Sequence, residues 1–327
     1  MDVTVILCTY NRCRTLAEAL ESVAASRMPA DISWEILIVD NNSSDQTQEV
    51  AQDYCHRYEG RFRYLFEPRQ GKSNALNSGI RESRGSILAF MDDDVIVASD
   101  WLADLTRELH AGRWVGAGGR ILARNTPLVP DWLPMDGPYS QSGMLALFDL
   151  GDKPCRLECP PFGTNMAFQK SIFEKYGDFR TDLGPSPGSE IRNEDTEFGR
   201  RLLNGGELLR YEPSAVVYHA IPESRLTREY LLAFWYDLGR ASIREMEHRS
   251  DILGIPRHYF TMLKTLVVLG PARTLRWVTA FDRQRRFYWR GWVWKTAGEI
   301  SELYRLKFAW HVPVGGEGIA GTDKQKR

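Results

Sequence analysis

Three consecutive aspartates, Asp92, Asp93 and Asp94, follow the apolar run Ser86-Ile-Leu-Ala-Phe-Met91. Like charges crowded at the end of a buried segment raise one another's pKa unless a cation neutralises them, and carboxylate oxygens suit a hard divalent ion. Extended residues alternate in direction, so Asp92 and Asp94 are expected to project to one side and offer oxygen to Mg2+ or Mn2+, the usual bridge to a diphosphate. A solvated turn, or a cap for a helix near Trp101, accounts for the same residues. The D-x-D-x of phosphatases with an aspartyl nucleophile is a poorer match, because those aspartates follow the first strand of their sheet.

A second acidic pair, Glu194-Asp195, stands before the helical run 196–204, where a helix dipole favours negative charge. His219 follows the strand-like Ala215-Val-Val-Tyr218, a place where a lone histidine is more often structural than a ligand. Two look-alikes fail. Gly71-Lys72-Ser73 suggests a phosphate loop, but the upstream glycine position is Phe66. Gly116-Ala-Gly118 begins a dinucleotide fingerprint, but position 121 is Ile.

The elements that must position these groups are legible from periodicity. Residues 3–8 and 35–39 are continuous apolar runs, as expected for strands buried on both faces. Residues 14–26 place Leu16, Ala19, Leu20 and Val23 on one helical face, and Ser44 or Asp45 can cap a helix reaching to about residue 58. Residues 62–66 read as a third strand, 72–83 as a helix and 86–91 as a fourth strand. This alternation predicts a parallel, doubly wound sheet, in which ligands bind outside the carboxyl ends of the strands. Thr9-Tyr-Asn-Arg12, Asp40-Asn-Asn42 and Asp92-Asp-Asp94 all lie there. From 114 to about 223 prolines, among them Pro127, Pro130, Pro134, Pro138, Pro154, Pro160 and Pro161, break the pattern into short pieces, beyond 224 the chain turns helical and aromatic, and from Gly315 it reads as a disordered tail.

The 42 Lys plus Arg and 43 Asp plus Glu of this 327-residue chain nearly cancel, which argues against a nucleic-acid binder relying on overall basicity. The balance hides an asymmetry: residues 224–327 carry 19 basic and 10 acidic side chains, so a +9 tail-piece follows a −10 body. Collagen, coiled coil and bulk disorder are excluded by 43% hydrophobic and 26% charged residues. Cys8, Cys13, Cys55, Cys155 and Cys159 follow no zinc or redox spacing, and they read as structural thiols in a reducing compartment. No signal peptide is evident, and the best apolar run, 260–272, is too short to span a membrane and holds Lys264. A cytoplasmic protein, soluble or peripheral on the inner membrane face, is expected.

Six segments in order resemble the family 2 glycosyltransferases: Val5-Ile-Leu-Cys-Thr-Tyr-Asn-Arg12, Ile38-Val-Asp-Asn-Asn-Ser-Ser-Asp45, Gly71-Lys-Ser-Asn-Ala-Leu-Asn-Ser-Gly79, Phe90-Met-Asp-Asp-Asp94, Gly163-Thr-Asn-Met-Ala-Phe168 and Asn193-Glu-Asp-Thr-Glu-Phe-Gly199. The resemblance covers residues 1 to about 225 and implies an α/β fold of GT-A type, a Rossmann-like doubly wound mixed sheet flanked by helices. The implied domains are a catalytic domain 1–225 (nucleotide-binding half 1–113, acceptor half 114–225), a helical basic-aromatic extension 226–314 and the tail 315–327.

The resemblance further implies an inverting, metal-dependent enzyme that moves sugar from a nucleotide-diphosphate donor, UDP foremost, to a hydroxyl of a glycan or lipid-linked acceptor. Thr9, Tyr10, Arg12, Asp40 and Asn42 then hold base and ribose, with Lys72, Asp92 and Asp93 also toward the nucleotide. Asp94, Asp92 and His219 hold Mg2+ or Mn2+, Asp195 is the general base, and Gly163, Asn165 and Glu194 approach donor sugar and acceptor. A sugar nucleotidyltransferase is the rival enzyme, though it needs a glycine-rich loop where Thr9-Tyr-Asn-Arg12 stands; a non-catalytic sugar-nucleotide or glycan-binding module is the other. Nine basic and eight aromatic residues lie within 273–307, including Trp277, Trp289, Trp292 and Trp294. This mixture suits an anionic membrane surface, but equally helices packed on the catalytic domain or contact between subunits.

Overall fold

Segments apolar on both faces need cover on both sides, and the chain supplies it with helices. The computed structural model describes residues 1–246, 251–252 and 255–309. Strands β1 (Val3–Thr9), β2 (Trp34–Asp40), β3 (Phe62–Phe66) and β4 (Ile87–Asp92) alternate with helices α1 (Cys13–Ala24), α2 (Thr47–Arg57) and α3 (Lys72–Glu82). Val3, Val5, Ile6 and Leu7 of β1 and Ile36, Leu37, Ile38 and Val39 of β2 are buried, while Leu16, Ala19, Leu20 and Val23 form the inner stripe of α1. Four strands and three helices thus follow the sequence expectation to within a few residues at each end.

β5 (Val95–Val97), α4 (Trp101–His110) and β6 (Gly116–Ala123) come next, then β7 (Cys155–Arg156), β8 (Asn165–Gln169), α5 (Ser171–Tyr176), α6 (Glu194–Asn204) and β9 (Leu209–His219). The sheet order is β3-β2-β1-β4-β8-β6-β9-β5, with β7 paired to β9. β1 runs parallel to β2 and β4, and β2 to β3; β8 enters antiparallel to β4 and β6. The sheet is therefore mixed, and the start of β8 lies beside the end of β4, with Met91 opposite Asn165.

Gly116 and Gly118, rejected above as a nucleotide fingerprint, lie within β6, and Gly119 follows them. A β-carbon on Gly119 would overlap the Ala215 carbonyl and the Asn165 amide, so this strand needs bare backbone to lie against its neighbours. β9 is longer than its apolar core suggests. Pro213, which has no N–H, interrupts the ladder with β6, and the register slips between Gly119/Glu212 and Arg120/Val216.

Beyond the sheet, α7 (Arg228–Arg244) leads through a short hairpin, β10 (Asp251–Ile252) and β11 (Ile255–Pro256), to α8 (Arg257–Lys264), a π-turn at Thr265–Leu269, α9 (Gly270–Val278) and α10 (Arg283–Ala309). α10 lies on α7 with backbone nearly touching backbone: a β-carbon at Gly239 would overlap the Lys295 carbonyl, and one at Gly298 the Tyr236 carbonyl. Trp235 donates its indole N–H to Gln141 Oε1, and Phe287 packs tilted against Trp132 with ring centroids 4.5 Å apart, so both helices also floor the proline-rich loops. After exposed Arg285 and Arg286, the tryptophan-rich run is half-buried, not spread outward, and cations lie over its rings, Arg276 of α9 over Trp289 and Arg290 over Trp294. The tail predicted from Gly315 lies outside the described residues. Among the described residues no helix is long and apolar enough to cross a membrane.

Candidate active site

The ends of β1, β2, β4 and β9, the start of β8 and the N-termini of α3 and α6 converge on one edge of the sheet. Short loops there are stitched to each other. Asn11, in the left-handed region at φ 52°, accepts the Ser44 N–H through its side chain and donates its own N–H to Ser43 Oγ. Asp45 accepts the Cys13 N–H, and buried Asn41 donates to the Glu67 and Arg69 carbonyls while accepting the Gly71 N–H. Asn41 was not singled out from sequence; it fixes the loop that delivers Lys72.

The three aspartates do not divide as strand alternation predicts. β4 ends at Asp92 and residues 93–94 form a turn, so Asp92 faces one way while Asp93 and Asp94 share the Arg12 guanidinium, with Nη1 2.8 Å from an oxygen of each. Burial pushes the Asp93 carboxyl up to about 6, against the pull of Arg12. Asp94 also lies 3.9 Å from His219 Nε2 and 3.9 Å from Arg225 Nη2. Arg225 donates to His219 Nε2 at 3.2 Å, which requires a neutral imidazole; burial lowers the His219 pKa in the same direction.

Asp92 belongs to a second group. Its Oδ1 accepts from Lys72 Nζ at 2.7 Å and its Oδ2 from Thr164 Oγ1 at 2.8 Å. Burial opposes the ionised form, yet the Lys72 ammonium and these hydrogen bonds outweigh it and bring the carboxyl down to about 2. Lys72 Nζ is also 3.6 Å from Glu194 Oε1, a buried carboxylate in the first turn of α6. Burial lifts Glu194 to about 7; Lys72 works against that rise and Asp195 adds to it. Asp195 accepts the Gly163 N–H at Oδ2 (2.6 Å) and the Thr196 N–H at Oδ1 (2.6 Å), and remains half-exposed. Adjacent residues Gly163 and Thr164 therefore hold Asp195 and Asp92, tying the two acidic groups together.

At the β1 and β2 ends, Tyr10 is 41% exposed and Asn42 is exposed with φ 65°, whereas Thr9 and Asp40 are buried. Asp40 accepts the Tyr64 hydroxyl and the Ser43 N–H, so its carboxylate is already engaged within the fold. Asn165, expected toward donor sugar or acceptor, is placed elsewhere. It is fully buried, accepts from Trp101 Nε1 and donates to the Arg120 and Ala215 carbonyls, which spends its amide on joining α4, β6 and β9. Arg225 and Thr164 were missed; Thr164 lay inside a recognised segment, whereas no motif marks Arg225.

A cleft of about 530 Å³ opens beside Asp94, lined by Arg12, Arg14, Arg124 and Arg225 among others. Among the described residues no three His, Cys, Asp or Glu side chains are gathered to hold an ion unaided. A carboxylate and a neutral imidazole facing each other across 3.9 Å nevertheless form a donor pair suited to Mn2+ or Mg2+, whose remaining positions an anionic substrate can fill. The residues fit such an ion as a shared site, not as a closed cage.

Residues 4–177 match the family described as Glycosyl transferase family 2. The succinoglycan biosynthesis protein ExoM of Rhizobium meliloti is 28% identical over 235 residues, 71% of this chain and 71% of its own. Glycosyltransferase AglE of Haloferax volcanii is 26% identical over 217 residues, 66% of each chain. The match spans 51% of the probable glycosyltransferase YdaM of Bacillus subtilis, so the chain corresponds to between about half and seven-tenths of the lengths of these three relatives. A mannosyltransferase from Pyrobaculum calidifontis, solved with GDP-Man and Mn2+, superposes with a TM-score of 0.57 at 17% identity, covering 94% of this chain and 87% of that one. GalNAc-T7 with UDP, GalNAc and Mn2+ gives 0.53 at 20% identity over 78% of this chain and 53% of that one. The architecture is of the GT-A type expected from the sequence.

Proposed function

The chain belongs to glycosyl transferase family 2, and from that premise we propose that it transfers a hexosyl group, with inversion, from a nucleoside-diphosphate sugar to a hydroxyl of a glycan or lipid-linked acceptor. The setting we infer is synthesis of a surface polysaccharide or glycolipid, of which the relatives' names support polysaccharide synthesis. One observation carries the reading. Two carboxylate stations, Asp94 with His219 and Asp195 with Gly163, are held at one sheet edge and joined through Thr164, Asp92 and Lys72.

Single displacement needs charge neutralisation where the diphosphate departs and a proton acceptor where the hydroxyl attacks. Asp94 and His219 would hold Mn2+ or Mg2+, which would supply Lewis acidity at the diphosphate, while Asp92 stays with Lys72 and Thr164. Arg12 and Arg225 add fixed positive charge on the same side, at the mouth of the cleft. Asp195 takes the proton of the acceptor hydroxyl, which must come within about 2.6–3.2 Å of its oxygens. The Gly163 and Thr196 N–H groups hold that carboxylate still, so its orientation is set before the acceptor arrives. Exposed Tyr10 offers a face for the base, while Thr9, Asp40 and Asn42 shape the loop beneath it.

UDP is the first donor nucleotide to test, ahead of GDP and dTDP. Calorimetric titration with the three in the presence of Mn2+ identifies the base. No metal-dependent binding of any of them would overturn the proposal.

A further inference from the structure

Residues 257–281 contain no aspartate or glutamate. α8, the π-turn and α9 carry residues 257–278 as one continuous helical stretch, with Phe281 three residues beyond its end. Along it Leu263, Val267, Val268, Leu275 and Val278 are each more than half exposed, and Phe281 is completely exposed. Leu266, Val267 and Val268 are consecutive, and three successive helical residues sweep about 200° of the helix circumference. Among its attachments to the body are buried Thr265 and Ala280, Arg273, which bonds Thr296 and Glu299 of α10, and Arg276, stacked on Trp289 of α10.

Single exposed leucines are ordinary; a contiguous apolar face is a place for something else to bind. Its charge says what. Lys264 and Arg276 lie exposed within the face and Arg285 and Arg286 just beyond it, while the first acid, Asp282, is turned to the Arg285 N–H. We propose that this face seats on an anionic lipid bilayer, the α8–α9 stretch lying in the plane of the headgroups with its leucines, valines and Phe281 beneath them and the four cations against their phosphates. Two copies meeting face to face would instead set these cations against each other. The docking surface therefore shares with α10 only the exposed Arg285 and Arg286 of its first turn, not the tryptophans, which are half-buried within the protein. It also stands independently of the transfer chemistry.

The test is sedimentation of the full chain with vesicles of phosphatidylcholine, alone or with one-third phosphatidylglycerol, at low and high salt. Anionic vesicles should bind at least about tenfold more tightly than neutral ones, with the gain lost at high salt. The double substitution Leu266→Glu with Leu275→Glu should abolish binding at unchanged melting temperature. The pair Lys264→Glu with Arg276→Glu, both exposed, should remove the anionic preference and serves if the first protein folds poorly. Equal binding to both vesicle types, or none, overturns the proposal. So does a wild-type dimer in equilibrium sedimentation that Leu266→Glu with Leu275→Glu dissociates, because the face would then belong to a second copy.

Discussion

The backbone N–H of Gly163 donates to Asp195 Oδ2 at 2.6 Å, and a β-carbon at Gly163 would stand 3.1 Å from that same oxygen. Gly163→Ala should therefore displace the proposed base by a few tenths of an ångström without disturbing the nucleotide end. The expected result is a kcat loss of about tenfold to a hundredfold at nearly constant donor affinity, since small misplacements at a reacting centre are costly. Equal loss of donor binding would show that Gly163 serves the nucleotide instead.

Asp195→Asn retains the shape and the Gly163 contact but cannot take a proton. Transfer should fall by about 10²–10⁴ while calorimetric donor binding is preserved. Appreciable turnover in this variant would transfer the base role elsewhere.

His219→Ala removes one of the two donors facing the proposed ion. The Mn2+ concentration needed for donor binding should rise at least about tenfold. Metal dependence identical to wild type would remove His219 from the site.

Lys72 lies between half-buried Asp92 and buried Glu194, and its loss leaves both uncompensated. Lys72→Met should cost on the order of 2–4 kcal/mol and lower the melting temperature by roughly 3–6 °C. Adding Glu194→Gln should recover part of that loss, because one of the stranded charges disappears.

Glu194 also sets a pH dependence. Its pKa is raised from the ordinary 4.5 to about 7 in the fold, so between those values the folded state binds more protons than the unfolded one. Stability should therefore decline as pH rises through that window, the fold being favoured below 4.5 and penalised above 7. Asp93, also raised, adds a slope of the same sign, so the measurement is the difference between wild type and Glu194→Gln. The variant should show a flatter melting-temperature profile from pH 4.5 to 7; parallel profiles would mean that Glu194 titrates normally.

What could be read beforehand follows from the range of each interaction. Continuous apolar runs in β1, β2 and β4 and the one-sided stripe of α1 depend on neighbours within a few residues, so they were visible. Asp94, Asp195 and Lys72 could be singled out as candidates because their motifs are local, but the 3.6 Å approach of Lys72 to Glu194 joins residues 122 positions apart. Asn165 misled because a polar residue in a recognised segment looks available, and only the fold reveals that Trp101, Arg120 and Ala215 have already claimed its amide. The division of the aspartates turned on where β4 stops, a matter of one residue. Trp-rich α10 looked like a surface because nothing in its composition announces that α7 lies against it.

The bare-backbone seam between α7 and α10 bears on how the chain could be shortened. Ending it near residue 225, where the recognised motifs stop, would deprive Gln141 of Trp235 and Trp132 of Phe287, and the proline-rich loops would lose their floor. A minimal expressible fragment should instead run past Leu303, a fully buried leucine of α10. A single added methyl at Gly239 or Gly298 would act as a wedge, prying the helix pair apart and loosening those loops from a distance.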